Sequence, residues 1–127
     1  MMEMPGKTRK GRSPRKARRP RRLRTEHLVK VSLKGRKIGY DPCCVHAERG
    51  DTIVWRLDKK LPFAVVIKAV ESPLDWTARA APRGGPLAGK VRRDAAPGYY
   101  PYAFCVCAGE ALVVDDPEII IRPPKGG

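Results

Sequence analysis

The first 24 residues decide how much of this chain is available for folding. They hold eleven bases (Lys7, Arg9, Lys10, Arg12, Arg15, Lys16, Arg18, Arg19, Arg21, Arg22 and Arg24) against one acid, Glu3. Leu23 and three methionines are their only large apolar side chains, and Pro5, Pro14 and Pro20 lie among them. A segment of this kind buries too little surface to offset the entropy of ordering it, and its like charges repel one another. Residues 1–27 are therefore expected to form a disordered basic arm when free. The fold must come from residues 28–123, with 124–127 as a flexible tail. That length suits one domain and is too short for two.

Within the body the periodicity is that of strands. Val29, Val31 and Leu33 alternate with Leu28, Lys30 and Ser32, as on a half-buried strand. Arg49-Gly50-Asp51 is a turn signal. Thr52-Ile53-Val54-Trp55-Arg56-Leu57 and Phe63-Ala64-Val65-Val66-Ile67 are rich in β-branched and aromatic residues. Cys44 to Ala47 and Lys90 to Arg92 are shorter candidates. Tyr99 to Cys107 alternates over a long run, and Pro101 inside it predicts a sheet edge or a bulge. Glu118 to Arg122 closes the set before Pro123-Pro124. Ser72 to Gly89, rich in Pro, Gly and Ala, reads as a long loop with one helical turn near Asp75-Trp76. About seven short strands with no amphipathic helix predict an all-β sandwich or barrel. Trp55 is expected in the core and Trp76 over one end. Tyr100, Tyr102 and Phe104 share a face, which suits a sandwich core with hydroxyls at its rim; stacking on nucleic-acid bases is the alternative use of such a row.

The order of four motifs is more specific than any one of them. Gly50-Asp51-Thr52-Ile53-Val54-Trp55 resembles the "G-D-T-V-x-W/F" strand of the cupredoxins, the plastocyanin and azurin family. Leu61 to Ile67 is similar to the family's "P-H-N-V-V-F" segment. Pro97-Gly98-Tyr99-Tyr100-Pro101-Tyr102-Ala103-Phe104-Cys105 is similar to its "P-G-x-Y-x-F-x-C" strand, which delivers the copper thiolate. Asp116 to Pro123 resembles the closing strand. The resemblance covers residues 28–123 and implies a cupredoxin-like Greek-key β-sandwich; an immunoglobulin-like sandwich of another type is the competing architecture. Type 1 copper takes two His, one Cys and a weak axial group. Phe63 stands where the first His is expected. The only histidines, His27 and His46, lie upstream of Cys105, and no Met follows Met4. The resemblance thus implies the scaffold without the type 1 ligand set.

The four cysteines form two close pairs, Cys43-Cys44 and Cys105-Val106-Cys107. Period-two alternation puts Cys105 and Cys107 on one face of a strand. A soft-metal site for Zn²⁺ or Cu(I), built from Cys44, His46, Cys105 and Cys107, is one expectation. The blander one is that these are small buried hydrophobes. A disulfide between the pairs is a third, if the protein is exported. No base–nucleophile pair is recognisable, and Asp41, Asp115, Asp116 and Glu118 sit beside turns, so no enzyme is expected.

The formal charge of +14 is divided unevenly. Residues 1–24 carry +10, and residues 25–127, with 16 bases and 12 acids, carry +4. Coding bias would spread Arg along the whole chain, so the contrast favours a tail that binds polyanions. Lys10, Arg12, Arg15, Lys16, Arg18, Arg19, Arg21, Arg22 and Arg24 are its candidate phosphate contacts. Ser13-Pro14-Arg15-Lys16 resembles the "S-P-K/R-K" units of histone tails. Nucleic acid is the expected partner, with anionic lipid or an acidic protein as alternatives. The paired arginines Arg18-Arg19 and Arg21-Arg22 are not followed by an apolar run, and no stretch is long and apolar enough to span a membrane, so a cytoplasmic location is expected.

Overall fold

The structure, a computed structural model, describes residues 25–123. The arm residues from Lys10 to Arg24 and the expected tail 124–127 lie outside them. The described residues form ten strands and no helix. In chain order these are β1 (Glu26–Lys34), β2 (Lys37–Asp41), β3 (Val45–Ala47), β4 (Thr52–Leu57), β5 (Phe63–Ile67), β6 (Ala78–Ala81), β7 (Leu87–Lys90), β8 (Gly98–Ala108), β9 (Ala111–Asp115) and β10 (Glu118–Ile121). Two sheets face each other. The larger has the order β3-β10-β8-β5-β6, with β9 also paired to β8; the smaller has the order β2-β1-β4-β7. Two pairs, β1 with β4 and β3 with β10, are parallel, and the rest are antiparallel. The expected all-β sandwich is the architecture found.

The inward positions follow the alternation of the sequence. Val29, Val31 and Leu33 of β1 meet Ile53, Trp55 and Leu57 of β4 on one side. Phe63, Val65 and Ile67 of β5 and Tyr102, Phe104 and Val106 of β8 supply the other. Burying each of these large side chains contributes roughly 1.5–3 kcal/mol relative to exposure. One polar contact ties the layers together. The indole N–H of Trp55 donates to the hydroxyl of Tyr102 at 3.0 Å, with the ring centroids 5.5 Å apart. The phenol of Tyr102 therefore sits inside the core, not at its rim, and burial pushes it up to about 12. The hydroxyl of Tyr100, by contrast, donates to the carbonyl of Ala96 at the rim.

Four local expectations are corrected. The first strand starts at Glu26, two residues before the expected boundary, because Thr52 N–H donates to Thr25 O at 3.0 Å and extends the β1–β4 pairing. Residues 37–41 form a strand that Gly39 obscured. The stretch from Ser72 to Gly89 holds β6 and β7 in place of a loop with a helical turn; its Ala- and Gly-rich segments have low strand propensity but find partners in β5 and β4. Pro101 lies in an interior strand, not at an edge or a marked bulge. Its backbone polar groups face the β5 side, where its carbonyl accepts from Lys68 N–H at 3.0 Å, beyond the last residue of β5. The missing N–H therefore leaves out only the reciprocal bond to Lys68, at the end of the β5–β8 ladder.

Trp76 packs against the flank of the sandwich. It lies 6.0 Å from Trp55, its N–H donates to Ala88 O at 2.9 Å, and the Arg79 guanidinium lies 6.0 Å from its ring. Gly89 makes room for it: a Cβ there would stand 2.8 Å from the Trp76 ring and 2.9 Å from Leu74.

Candidate functional site

The chain enters the domain through a small polar anchor. Asp51 is 1% exposed, and its carboxylate accepts from three groups among the described residues. His27 Nε2 lies 2.8 Å away, Glu48 N–H 3.0 Å and Thr25 N–H 3.4 Å. The backbone of Asp51 also accepts from Val91 N–H at 2.7 Å. A buried carboxylate is tolerated only when its lone pairs are used in this way. The sequence offered Asp51 as a turn residue and gave His27 no role. The anchor fixes where the preceding basic segment leaves the domain: at the Glu26 end of β1, beside the 48–51 turn.

Phe63, which stands where a copper-binding His is expected, and Cys105, the first thiol of β8, do not share a site. Phe63 pairs in register with Val106, and Ala64 with Cys105. Side chains opposite one another point to the same face of a sheet, and neighbours along a strand point to opposite faces. Phe63 therefore faces inward with Val106, while Cys105 faces outward with Ala64. The inward space is filled by packed rings: Phe63 stacks on Phe104 at 5.1 Å with an 18° interplanar angle, and Tyr40 meets Phe104 edge-on at 5.9 Å. Burial, and then the charge of Asp115, push the Tyr40 phenol well above its ordinary range. The residues present do not fit a type 1 copper ion.

The candidate soft-metal set is also dispersed. Cys44 precedes β3 beside Glu118 and Cys43, whereas Cys105 and Cys107 lie on β8 two strands away. Strand rise and spacing put roughly 15 Å between Cys44 and Cys105. His46 is exposed on β3, in register with Ile120. Among the described residues, no three His, Cys, Asp or Glu side chains are arranged to hold a metal ion. The reading of the thiols as buried hydrophobes is corrected too. Cys43 and Cys107 are exposed, Cys44 and Cys105 half-buried, and none is in a disulfide. The reason is parity: with Phe104 and Val106 committed to the core, Cys105 and Cys107 must face out.

That outer face is apolar. Cys105 has Val114 of β9 on one side and Ala64 of β5 on the other, and Cys107 has Leu112 beside it. Leu112 and Val114 are 64% and 52% exposed. Burial among these neighbours, then the charges of Asp116 and Cys107, push the Cys105 thiol up. Burial, then Glu118 and Cys43, do the same to Cys44. Both thiols are thus less nucleophilic at neutral pH than a free cysteine.

No family model and no curated protein matches this chain. Solved structures do. A copper-containing nitrite reductase from Thermus scotoductus superposes over 88% of this chain with a TM-score of 0.53 at 14% identity; the match takes in 25% of that enzyme's chain. A pseudoazurin from Sinorhizobium superposes over 80% of this chain and 76% of its own with a TM-score of 0.50 at 18% identity. Likeness at this level is one of fold, and the fold of residues 25–123 is that of a cupredoxin, without the type 1 copper ligand set.

Proposed function

We propose that this chain is a non-enzymatic binding protein: a rigid cupredoxin-like head whose basic arm holds nucleic-acid phosphates without reading sequence. The observation that carries the proposal is the division of charge, eleven bases and one acid in residues 1–24 against 16 and 12 in the rest. Lys and Arg gain affinity for a phosphate backbone by releasing its condensed counterions. The geometry of the head supports the reading from the other side, because Phe63 is packed against Phe104 in the core and faces away from the Cys105 thiol. The test is binding of a DNA duplex by the full chain at several salt concentrations. The logarithm of affinity should fall with the logarithm of salt by about 0.9 unit per phosphate neutralised, giving a steep slope. Replacing the arm's bases by serine should abolish most of the affinity. A flat salt response, or unchanged binding by that variant, would overturn the proposal.

One observation favours a second reading. Cys105 and Cys107 present two thiols on the same outer face, an arrangement suited to a soft ion such as Cu(I) or Zn²⁺, or to thiol redox chemistry. Metal analysis of anaerobically purified protein checks it. No stoichiometric copper or zinc, together with four titratable thiols, rules out the metal form.

A further inference from the structure

The end of the sandwich opposite the Asp51 anchor is made of four connections. The β1–β2 turn and the β4–β5 connection are bound together: Lys59 Nζ donates to Leu33 O at 2.8 Å, and Leu33 N–H to the Asp58 carboxylate at 3.3 Å. The β6–β7 connection leans on the second of these, since a Cβ at Gly84 would stand 2.9 Å from the backbone N and O of Leu61. The β8–β9 turn ends beside them, with Cys107 N–H donating to Pro62 O at 2.9 Å. These connections and the strand ends that flank them carry six bases, Lys34, Arg36, Lys37, Lys59, Lys60 and Arg83, and two acids, Asp58 and Glu110. All six bases are exposed, and among the described residues none forms an ion pair. The rest of the described domain has nine bases and ten acids. The positive charge of the head is therefore gathered at this one pole.

We infer that this pole is a second binding surface for the phosphate backbone of double-stranded nucleic acid, and that the full chain bridges two duplexes, one on the arm and one on the pole. The bridging half rests on the arm reading above. Three features support the pole itself. Its bases lie exposed on turns and the strand ends beside them, where a rod-like polyanion has access. Among the described residues none of them has an ion-pair partner to give up on binding, and only the Lys59 side chain is held by a hydrogen bond, to Leu33 O. The remainder of the surface has no net positive charge to compete. The separation argues for two ligands. The nine residues of β1 run from the arm's exit to the pole, about 30 Å. That is several times the screening length of about 8 Å at physiological salt, so the pole is not coupled by charge to the point where the arm leaves the head.

The experiment is capture of a labelled DNA duplex by protein held on a second, bead-bound duplex. It uses the full chain, a pole variant and an arm variant whose bases are replaced by serine. The pole variant carries Lys34→Ser, Arg36→Ser, Lys37→Ser, Lys60→Ser and Arg83→Ser. Lys59 is kept because it holds Leu33. The melting temperature of each variant confirms that it is folded. The wild type is expected to capture the second duplex. The pole variant should bind a single duplex within about threefold of wild type yet lose at least about tenfold in capture. The arm variant should retain weak single-duplex binding whose salt slope is no more than about five units. Capture by the pole variant equal to wild type would overturn the proposal, as would wild-type protein that saturates one duplex and captures no other. If the arm variant binds like wild type and the pole variant does not, the pole stands as a site while the arm and the bridging fall. Bridging of anionic vesicles in place of duplexes would overturn the assignment to nucleic acid.

Discussion

Strand β8 has two faces with opposite fates. Its inward residues, Tyr102, Phe104 and Val106, are nearly inaccessible, and Tyr102 and Phe104 meet Trp55 and Tyr40 of the other sheet. Its outward residues, Ala103, Cys105 and Cys107, lie in a shallow apolar surface shared with Ala64, Leu112 and Val114. The inward row carries the stability of the domain, and the outward row carries the reactive atoms. The lesson is that the mere presence of a Cys at the end of an aromatic strand does not say which face its thiol occupies: Cys105 directly follows the inward Phe104 and so faces out. Only the register with Phe63 shows that the Cys105 sulfur and the Phe63 ring are on opposite sides of one sheet.

The largest test of this contrast is Phe104→Ala, which removes a ring in contact with both Phe63 and Tyr40. Urea unfolding should show a loss of about 3–5 kcal/mol. Phe63→His comes next. It puts a polar ring into a packed apolar space at a cost of about 2 kcal/mol or more. With copper added, the variant should give no intense thiolate-to-copper absorption, since Cys105 faces the other way; such a band would break the comparison. Tyr102→Phe leaves the Trp55 N–H without its acceptor and should cost about 1–3 kcal/mol.

The same tyrosine has a pH signature. Its folded value is raised to about 12 from an unfolded value of 10.0, so the native state holds its proton more tightly. That contribution is present below pH 10 and is lost as pH rises toward 12. Two units correspond to roughly 2–3 kcal/mol. Alkaline unfolding of the Tyr102→Phe variant should lack that portion of the decline. The smallest effect belongs to the outer row. Cys105→Ser and Cys107→Ser should each change stability by less than about 1 kcal/mol. Alkylation of native protein followed by mass spectrometry should label Cys107 before Cys105, which is more buried and whose thiol is raised.

The strands rich in β-branched and aromatic residues, β1, β4, β5, β8 and β10, were legible because alternation and composition agreed. Strands β2, β6, β7 and β9 were not. Lys-Ile-Gly-Tyr-Asp, Ala-Arg-Ala-Ala and Leu-Ala-Gly-Lys have little intrinsic preference for extended structure and gain it from neighbours distant in sequence. Pro101 misled for a related reason: whether a missing N–H matters depends on where the adjacent strand ends. At the candidate site, the outward direction of Cys105 was available in principle, since an inward Phe104 requires it. The Asp51 anchor was not available, because its three donors come from residues 25, 27 and 48, and nothing local announces that they converge. The basic pole was invisible for the same reason: its six bases come from three separate stretches of the chain.

The hydrogen bond between Trp55 and Tyr102 has a practical consequence. The arm holds no Trp, Tyr or Phe, and both tryptophans lie in the head, one in the core and one on its flank. Intrinsic fluorescence thus reports on the packing of the two sheets and receives no direct contribution from residues 1–24. A duplex that engages only the arm should leave the emission spectrum in place, whereas parting of the sheets should shift it to the red. The chain carries its own optical gauge for separating ligand attachment from loss of structure.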